Sequence, residues 1–283
     1  MASSSEHLQP EPELRLVLLG RTGAGQSSAG DAILGGRAFR PAADAGAAAR
    51  CEKLRGRVGG RQVAVVTVPD WFSSRSAPPE EARALFSSLV ALSSPGPHAF
   101  LLCVPAHRPS DGEERALAAL ELILGPSAVT AHTLVLFTHG EEEEEEEDKE
   151  EEKEEQEEQG KKQTLEELLS TKRRDLLELV ETCEGRYHVF RGFGGGGGGG
   201  GEEEEEEEKE RKEKWRRKSV QELLEKVKQA VGECEDDFFT CDLYKEAEER
   251  VRERQEQLAR ERRERSGGEE EGPDDNKAEK KES

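Results

Sequence analysis

The sequence predicts an α/β fold: a three-layer, doubly wound, mostly parallel sheet, followed by a helical extension. Three observations point to it. Short apolar runs of strand length recur at residues 14–19, 62–68, 99–104, 133–138 and 187–190. Segments with helical spacing of apolar residues lie between them at 27–34, 79–92, 111–124 and 164–183. The first apolar run leads directly into a glycine-rich loop that opens a helix. Strands alternating with helices pair in parallel through crossovers, and such sheets hold ligands at the C-terminal ends of their strands.

The elements are justified in order. Leu14, Leu16, Val17, Leu18 and Leu19 form a nearly continuous apolar strand, the pattern of a strand buried on both faces. The helix at 111–124 has Ser110 and Glu113 at capping-box spacing, and Gly125-Pro126 ends it. Beyond Lys209 a helical pattern resumes through Val220, Leu223, Leu224, Val227 and Val231, and a highly charged helix follows over 242–265. The expected organisation is a disordered N-terminus at 1–13 and a core domain at 14–232. Low-complexity inserts interrupt that domain at 141–163 and 194–214, a helical extension covers 233–265, and a disordered tail covers 266–283.

Composition narrows the function. With 33% hydrophobic and 37% charged residues, the 283-residue chain cannot build a core along its whole length. A formal net charge of −22 argues against nucleic acid and anionic membranes as partners, because phosphates are repelled. Much of that charge is local: residues 141–160 hold fifteen acidic side chains against two lysines. Cys51, Cys103, Cys183, Cys234 and Cys241 are dispersed and form no C-x-x-C pair, which suits reduced thiols and a cytoplasmic location. No apolar run follows Met1, and no stretch approaches the ~20 apolar residues of a membrane span, so no transmembrane segment is expected.

The chemistry concentrates at residues 14–35, LRLVLLGRTGAGQSSAGDAILG. Gly20, Arg21, Thr22, Gly23, Ala24, Gly25, Gln26 and Ser27 follow the spacing G-x-x-x-x-G-K-[ST], with Ser28 next. In that motif backbone amides wrap a phosphate and the following helix aims its positive end at it. Gln26 stands where the lysine belongs, so the cradle's shape is kept and its fixed charge is lost. The plainer alternative is a Gly-rich strand–turn–helix corner in which Ser27 only supports the helix start.

Beyond this loop the chain resembles the GTPase-of-immunity-associated-protein family (GIMAP or IMAP), septin-like G domains of the P-loop NTPase class. Residues 92–114, LSSPGPHAFLLCVPAHRPSDGEE, are similar to that family's own box. TLVLFTHG at 133–140 resembles its base-recognition strand and RYHVF at 186–190 the next strand. Residues 220–250, with QELLEKV and LYKEAEER, resemble its C-terminal helical extension, with coiled-coil character. The likeness covers roughly 13–250 apart from the inserts.

The resemblance implies a guanine nucleotide, GTP or GDP, held by residues 20–28, with His139 and Glu141 at the base and the Ser27 hydroxyl on Mg²⁺. It also implies losses. The family's D-T-P-G is replaced by Thr67-Val68-Pro69-Asp70, which removes the aspartate behind the Mg²⁺ and a switch glycine. The switch threonine is missing from 47–50, its place falling on Ala48, and Arg191 stands where an asparagine is usual. His139 has a plainer reading as a polar strand-end residue, Asp70 as a turn residue, and the Glu runs as solvated spacers. The expectation is therefore weakened guanine-nucleotide binding with little or no hydrolysis and no catalytic residue. Such a protein would work by assembly with itself or related G domains. The alternative is an acidic scaffold that binds no nucleotide.

Overall fold

The computed structural model describes residues 12–36, 50–69, 79–106, 112–138, 173–190, 202–234 and 236–267. Among these residues six strands are ordered β2-β3-β1-β4-β5-β6. They are β1 (Leu14–Leu19), β2 (Glu52–Val58), β3 (Arg61–Thr67), β4 (Ala99–Pro105), β5 (Thr133–Thr138) and β6 (Tyr187–Phe190). Only β2 runs antiparallel to its neighbour; β3, β1, β4, β5 and β6 pair in parallel. This is the doubly wound, mostly parallel sheet that the sequence predicts.

Alternation along the strands explains the layers. Leu14, Leu16 and Leu18 of β1 point to one face with Val63, Val65, Leu101, Cys103, Leu134 and Leu136. Helix α1 (Gln26–Leu34) covers that face with Ala29 and Ile33, and α6 (Glu202–Gly232) with Val220, Leu223 and Val227. Val17 and Leu19 point the other way with Val66, Phe100, Leu102, Val104, Val135 and Phe137. That face is covered by α2 (Pro79–Ser93), α3 (Glu113–Leu124), α4 (Pro126–Thr130) and α5 (Arg174–Thr182). With both faces covered, central strands bury every residue, which is why β1, β4 and β5 read as nearly continuous apolar runs, with Arg15 of β1 the charged exception.

Strand β2 was not foreseen. Its sequence EKLRGRV carries no apolar run because an edge strand keeps much of its surface in water. The signal for it is Gly59-Gly60, whose φ values of 58° and 88° suit a two-residue hairpin turn into β3. Helix α6 also starts earlier than Lys209: it begins at Glu202 and takes in glutamates that the sequence reading assigned to an insert. Glutamate is a good helix former and is favoured near a helix's positive N-terminal end.

The C-terminal helix α7 (Asp242–Gly267) is rooted in the same core. Phe239 and Tyr244, both buried, meet edge-on at 6.0 Å, and Phe239 also packs on Phe100 at 5.6 Å and His132 at 5.3 Å. The Ser93 hydroxyl donates to the Leu89 carbonyl at 2.6 Å, so at 2.7 Å the Tyr244 hydroxyl donates to Ser93. The Phe239 amide donates to the Pro97 carbonyl at 2.8 Å. A Cβ added at Gly96 would land on the Phe239 carbonyl, so only glycine lets the two segments meet.

Candidate functional site

Strand β1 lies at the centre of the sheet, with β3 on one side and β4 on the other. The chain leaves β1 towards β3 and leaves β4 towards β5, so the strand order reverses between β1 and β4. A crevice at the C-terminal edge is expected there. The loop at 20–25 sits at that edge and ends in α1, whose N-cap residue, Gly25, offers no side-chain cap.

The loop is held in shape by short-range and long-range bonds. The Ala24 amide donates to the Arg21 carbonyl at 3.0 Å, and the Ala29 amide begins the helix on the Gly25 carbonyl at 2.8 Å. From β5, the Thr138 hydroxyl donates to the Ala24 carbonyl at 3.2 Å. Gly25, at φ 79°, takes a left-handed conformation, and a Cβ there would come within 3.1 Å of the Thr138 methyl. Gly20 allows another close approach: a Cβ would lie 3.0 Å from the Cys103 carbonyl and 3.2 Å from Gln26 Nε2.

Gln26 itself turns back into the loop. Its Nε2 donates to the Gly20 carbonyl at 2.8 Å and ties the loop's two ends together. Thr22, Gly23 and Ser28 are exposed, Ala24 is buried, and Ser27 is half-buried in the first turn of α1. The structure thus brings Gly20 through Ser28 together as one loop and helix start at the sheet edge.

Two partners of this loop escaped the sequence reading. Arg21 Nε lies 3.3 Å from Glu113 Oε1, and the Glu113 side chain is fully buried. Helix α3 begins at Glu113, with Gly112 before it at φ 102° and no side-chain cap, two residues later than expected. Ser110, the other half of the expected capping box, lies outside the described residues. Thr138 is the second partner; in the sequence it reads only as the end of an apolar strand.

The metal and base positions are less complete. Thr67 ends β3 beside Leu18 of β1 and is the polar side chain there, with no charge to offer a cation. Among the described residues no group of three or more His, Cys, Asp or Glu side chains forms a metal site. His139, Glu141, Asp70, Ala48 and Arg191 lie outside the described residues. Burial pushes the Cys103 thiol beside the loop up to about 12, so it is an inert apolar filler rather than a nucleophile. All five cysteines are free thiols. Among the described residues no helix is long and apolar enough to cross a membrane.

Several known proteins are similar to this chain. The sequence pattern of the AIG1 family matches residues 14–258. GTPase IMAP family member 8 of Rattus norvegicus is 32% identical over 141 residues, which are 50% of this chain and 20% of that protein. Immune-associated nucleotide-binding protein 9 of Arabidopsis thaliana is 30% identical over 182 residues, 63% of this chain and 48% of that protein. The chain thus spans less than half the length of these relatives. Among solved structures, Toc33 from Arabidopsis thaliana in complex with GDP and Mg²⁺ aligns with a TM-score of 0.43 and 14% identity, over 62% of this chain and 69% of that one.

Proposed function

Because the chain belongs to the AIG1 family, we propose that it is a guanine-nucleotide-binding G domain with lowered affinity and little or no GTP hydrolysis, acting by assembly with itself or with related G domains. The names of its relatives, a GTPase and an immune-associated nucleotide-binding protein, support the nucleotide. One observation carries the reading: Gln26 fills the lysine's place and braces the loop through Gly20, preserving a cradle that has lost that position's cation.

In this reading the amides of residues 20–27 and the Ser27 and Ser28 hydroxyls meet the phosphates, while His139 and Glu141 meet the base. A charge-assisted hydrogen bond is worth about 1.5–3 kcal/mol, so exchanging lysine for Gln26 lowers affinity by about ten- to a hundred-fold. Hydrolysis suffers more, because phosphoryl transfer rests on charge neutralisation and positioning. Neither Gln26 nor Thr67 supplies charge. Mg²⁺ would rest on Ser27 and the nucleotide's own phosphates.

Calorimetric titration with GDP and GTP, with and without Mg²⁺, tests the binding half, and turnover at high protein concentration tests the catalytic half. Measurable binding with no turnover above background is the expected result. Absence of binding by either nucleotide would leave the acidic scaffold as the better reading, and turnover at the rate of an intact G domain would overturn the catalytic half.

A further inference from the structure

The outermost strand among the described residues carries a row of cations that the nucleotide reading does not use. Among the described residues β2 pairs with β3 alone and is the outermost strand on that side. Side chains alternate along a strand. Leu54 and Val58 therefore turn to the face that α1 covers and pack on its core. Lys53, Arg55 and Arg57 share the opposite face, two residues apart, with Arg55 and Arg57 exposed.

The register extends this row inwards. Arg55 pairs across β3 with Ala64, and Ala64 pairs with Arg15 of β1, so two guanidinium side chains flank one small residue. Glu13 is shared between them and a lysine: its carboxylate meets Arg55 Nε at 2.5 Å and Lys53 Nζ at 3.8 Å, and its carbonyl accepts from Arg15 Nη1 at 3.2 Å. Burial lowers the Lys53 pKa, and the neighbouring Arg55 and Arg15 lower it further against the pull of Glu13. Lys53, Arg55 and Arg57, set against Glu52 of the same strand and the paired Glu13, leave β2 a small positive balance in a chain of net charge −22.

Cations on an edge strand have a protective role, since they stop one edge from pairing with another like it. Two copies of β2 laid together would oppose cation to cation, which destabilises a ladder. The same row favours a strand of opposite sign. We propose that β2 is a docking edge for an extended acidic peptide of another protein, which adds a strand beside β2 and sets carboxylates at alternate positions against Lys53, Arg55 and Arg57. Main-chain bonds supply the ladder and the alternating charge supplies the choice of partner. This inference is independent of the nucleotide.

The test uses the full chain and three synthetic octapeptides: alternating Glu-Thr, a block of four Glu then four Thr, and alternating Lys-Thr. The alternating acidic peptide is expected to bind several-fold tighter than the block and to weaken as salt rises, with no binding by the basic peptide. It should also slow amide exchange at residues 52–58. Arg55→Glu with Arg57→Glu should reduce its affinity about ten-fold or more, and the milder Arg57→Gln should reduce it less, each with the thermal transition checked. No binding, equal binding of alternating and block peptides, unaltered exchange at 52–58, or unchanged affinity in both variants would each overturn the proposal.

Discussion

The guanidinium of Arg21 meets the carboxylate of Glu113 at 3.3 Å, and that carboxylate is fully buried while Arg21 keeps 18% of its side-chain exposure. The phosphate-type loop is thereby strapped to the first turn of α3. Taking away one member of a buried pair strands the other charge out of water. Arg21→Ala should therefore destabilise the fold by roughly 3 kcal/mol or more, near the lower end of measured losses for broken buried pairs. Glu113→Gln should cost less, and Arg21→Ala in the Glu113→Gln background should cost little more. Denaturant unfolding of the four proteins measures the coupling, and additive losses would contradict it.

Gln26→Lys is the direct probe of the loop. The ammonium would enter a cradle already shaped by Gly20, Gly25 and the Thr138 hydroxyl. Guanine nucleotide should bind about ten-fold tighter, since a placed charge brings more than 1 kcal/mol without new ordering cost. Turnover should stay absent, because Thr67 still brings no charge to the metal side. Unchanged affinity in the titration would mean that the loop is a relic of shape only.

Gly96→Ala tests how the C-terminal helix is anchored. The added methyl would collide with the Phe239 backbone, and overpacking of this kind typically costs about 1–3 kcal/mol. The variant should melt earlier and be cut faster by trypsin at the many arginines of α7. Equal melting and equal cleavage would show that the Phe239 segment can shift without loss.

Acidification should weaken the fold through His98. Its Nδ1 accepts the Arg15 backbone amide at 3.0 Å, so the ring is held neutral with the proton on Nε2. Burial, then the charges of Arg15 and Arg61, push its pKa down from 6.5 to about 3. A pKa that is depressed on folding gives stability that is full above 6.5 and is lost as pH falls from there towards 3. Buried His132, also lowered chiefly by burial, adds in the same direction. The transition temperature should therefore be lower at pH 5 than at pH 7. His98→Asn, whose amide oxygen can accept the same hydrogen bond, should narrow that difference.

The sequence made the central sheet legible because a strand buried on both faces is apolar at nearly every position, with Arg15 the charged exception in β1. The runs at 14–19 and 133–138 match β1 and β5 to the residue. Strand β2 was opaque for the opposite reason: half in water, it reads Glu-Lys-Leu-Arg-Gly-Arg-Val, and its turn glycines were the only cue. At the site, the glycine spacing revealed the loop, since it is set by neighbours in the chain. Thr138 and Glu113 were hidden, because their roles arise only when the sheet brings them to a loop far away in sequence. Glu113 at capping-box spacing pointed to a local role, and local spacing carries no trace of Arg21.

The burial of Phe239 and Tyr244 also bears on the order in which the protein is made. Synthesis delivers β1 before them, and the ring that packs on Phe100 and the hydroxyl that bonds Ser93 emerge from the ribosome long after the residues they meet. Until they arrive, Phe100, His132 and the buried guanidinium of Arg15, which Phe238 covers at 4.8 Å, lack their lids. The floor of the sheet therefore stays open until the segment from Phe238 to Tyr244 has been made. A stop codon ahead of Phe238 would leave that floor open for good.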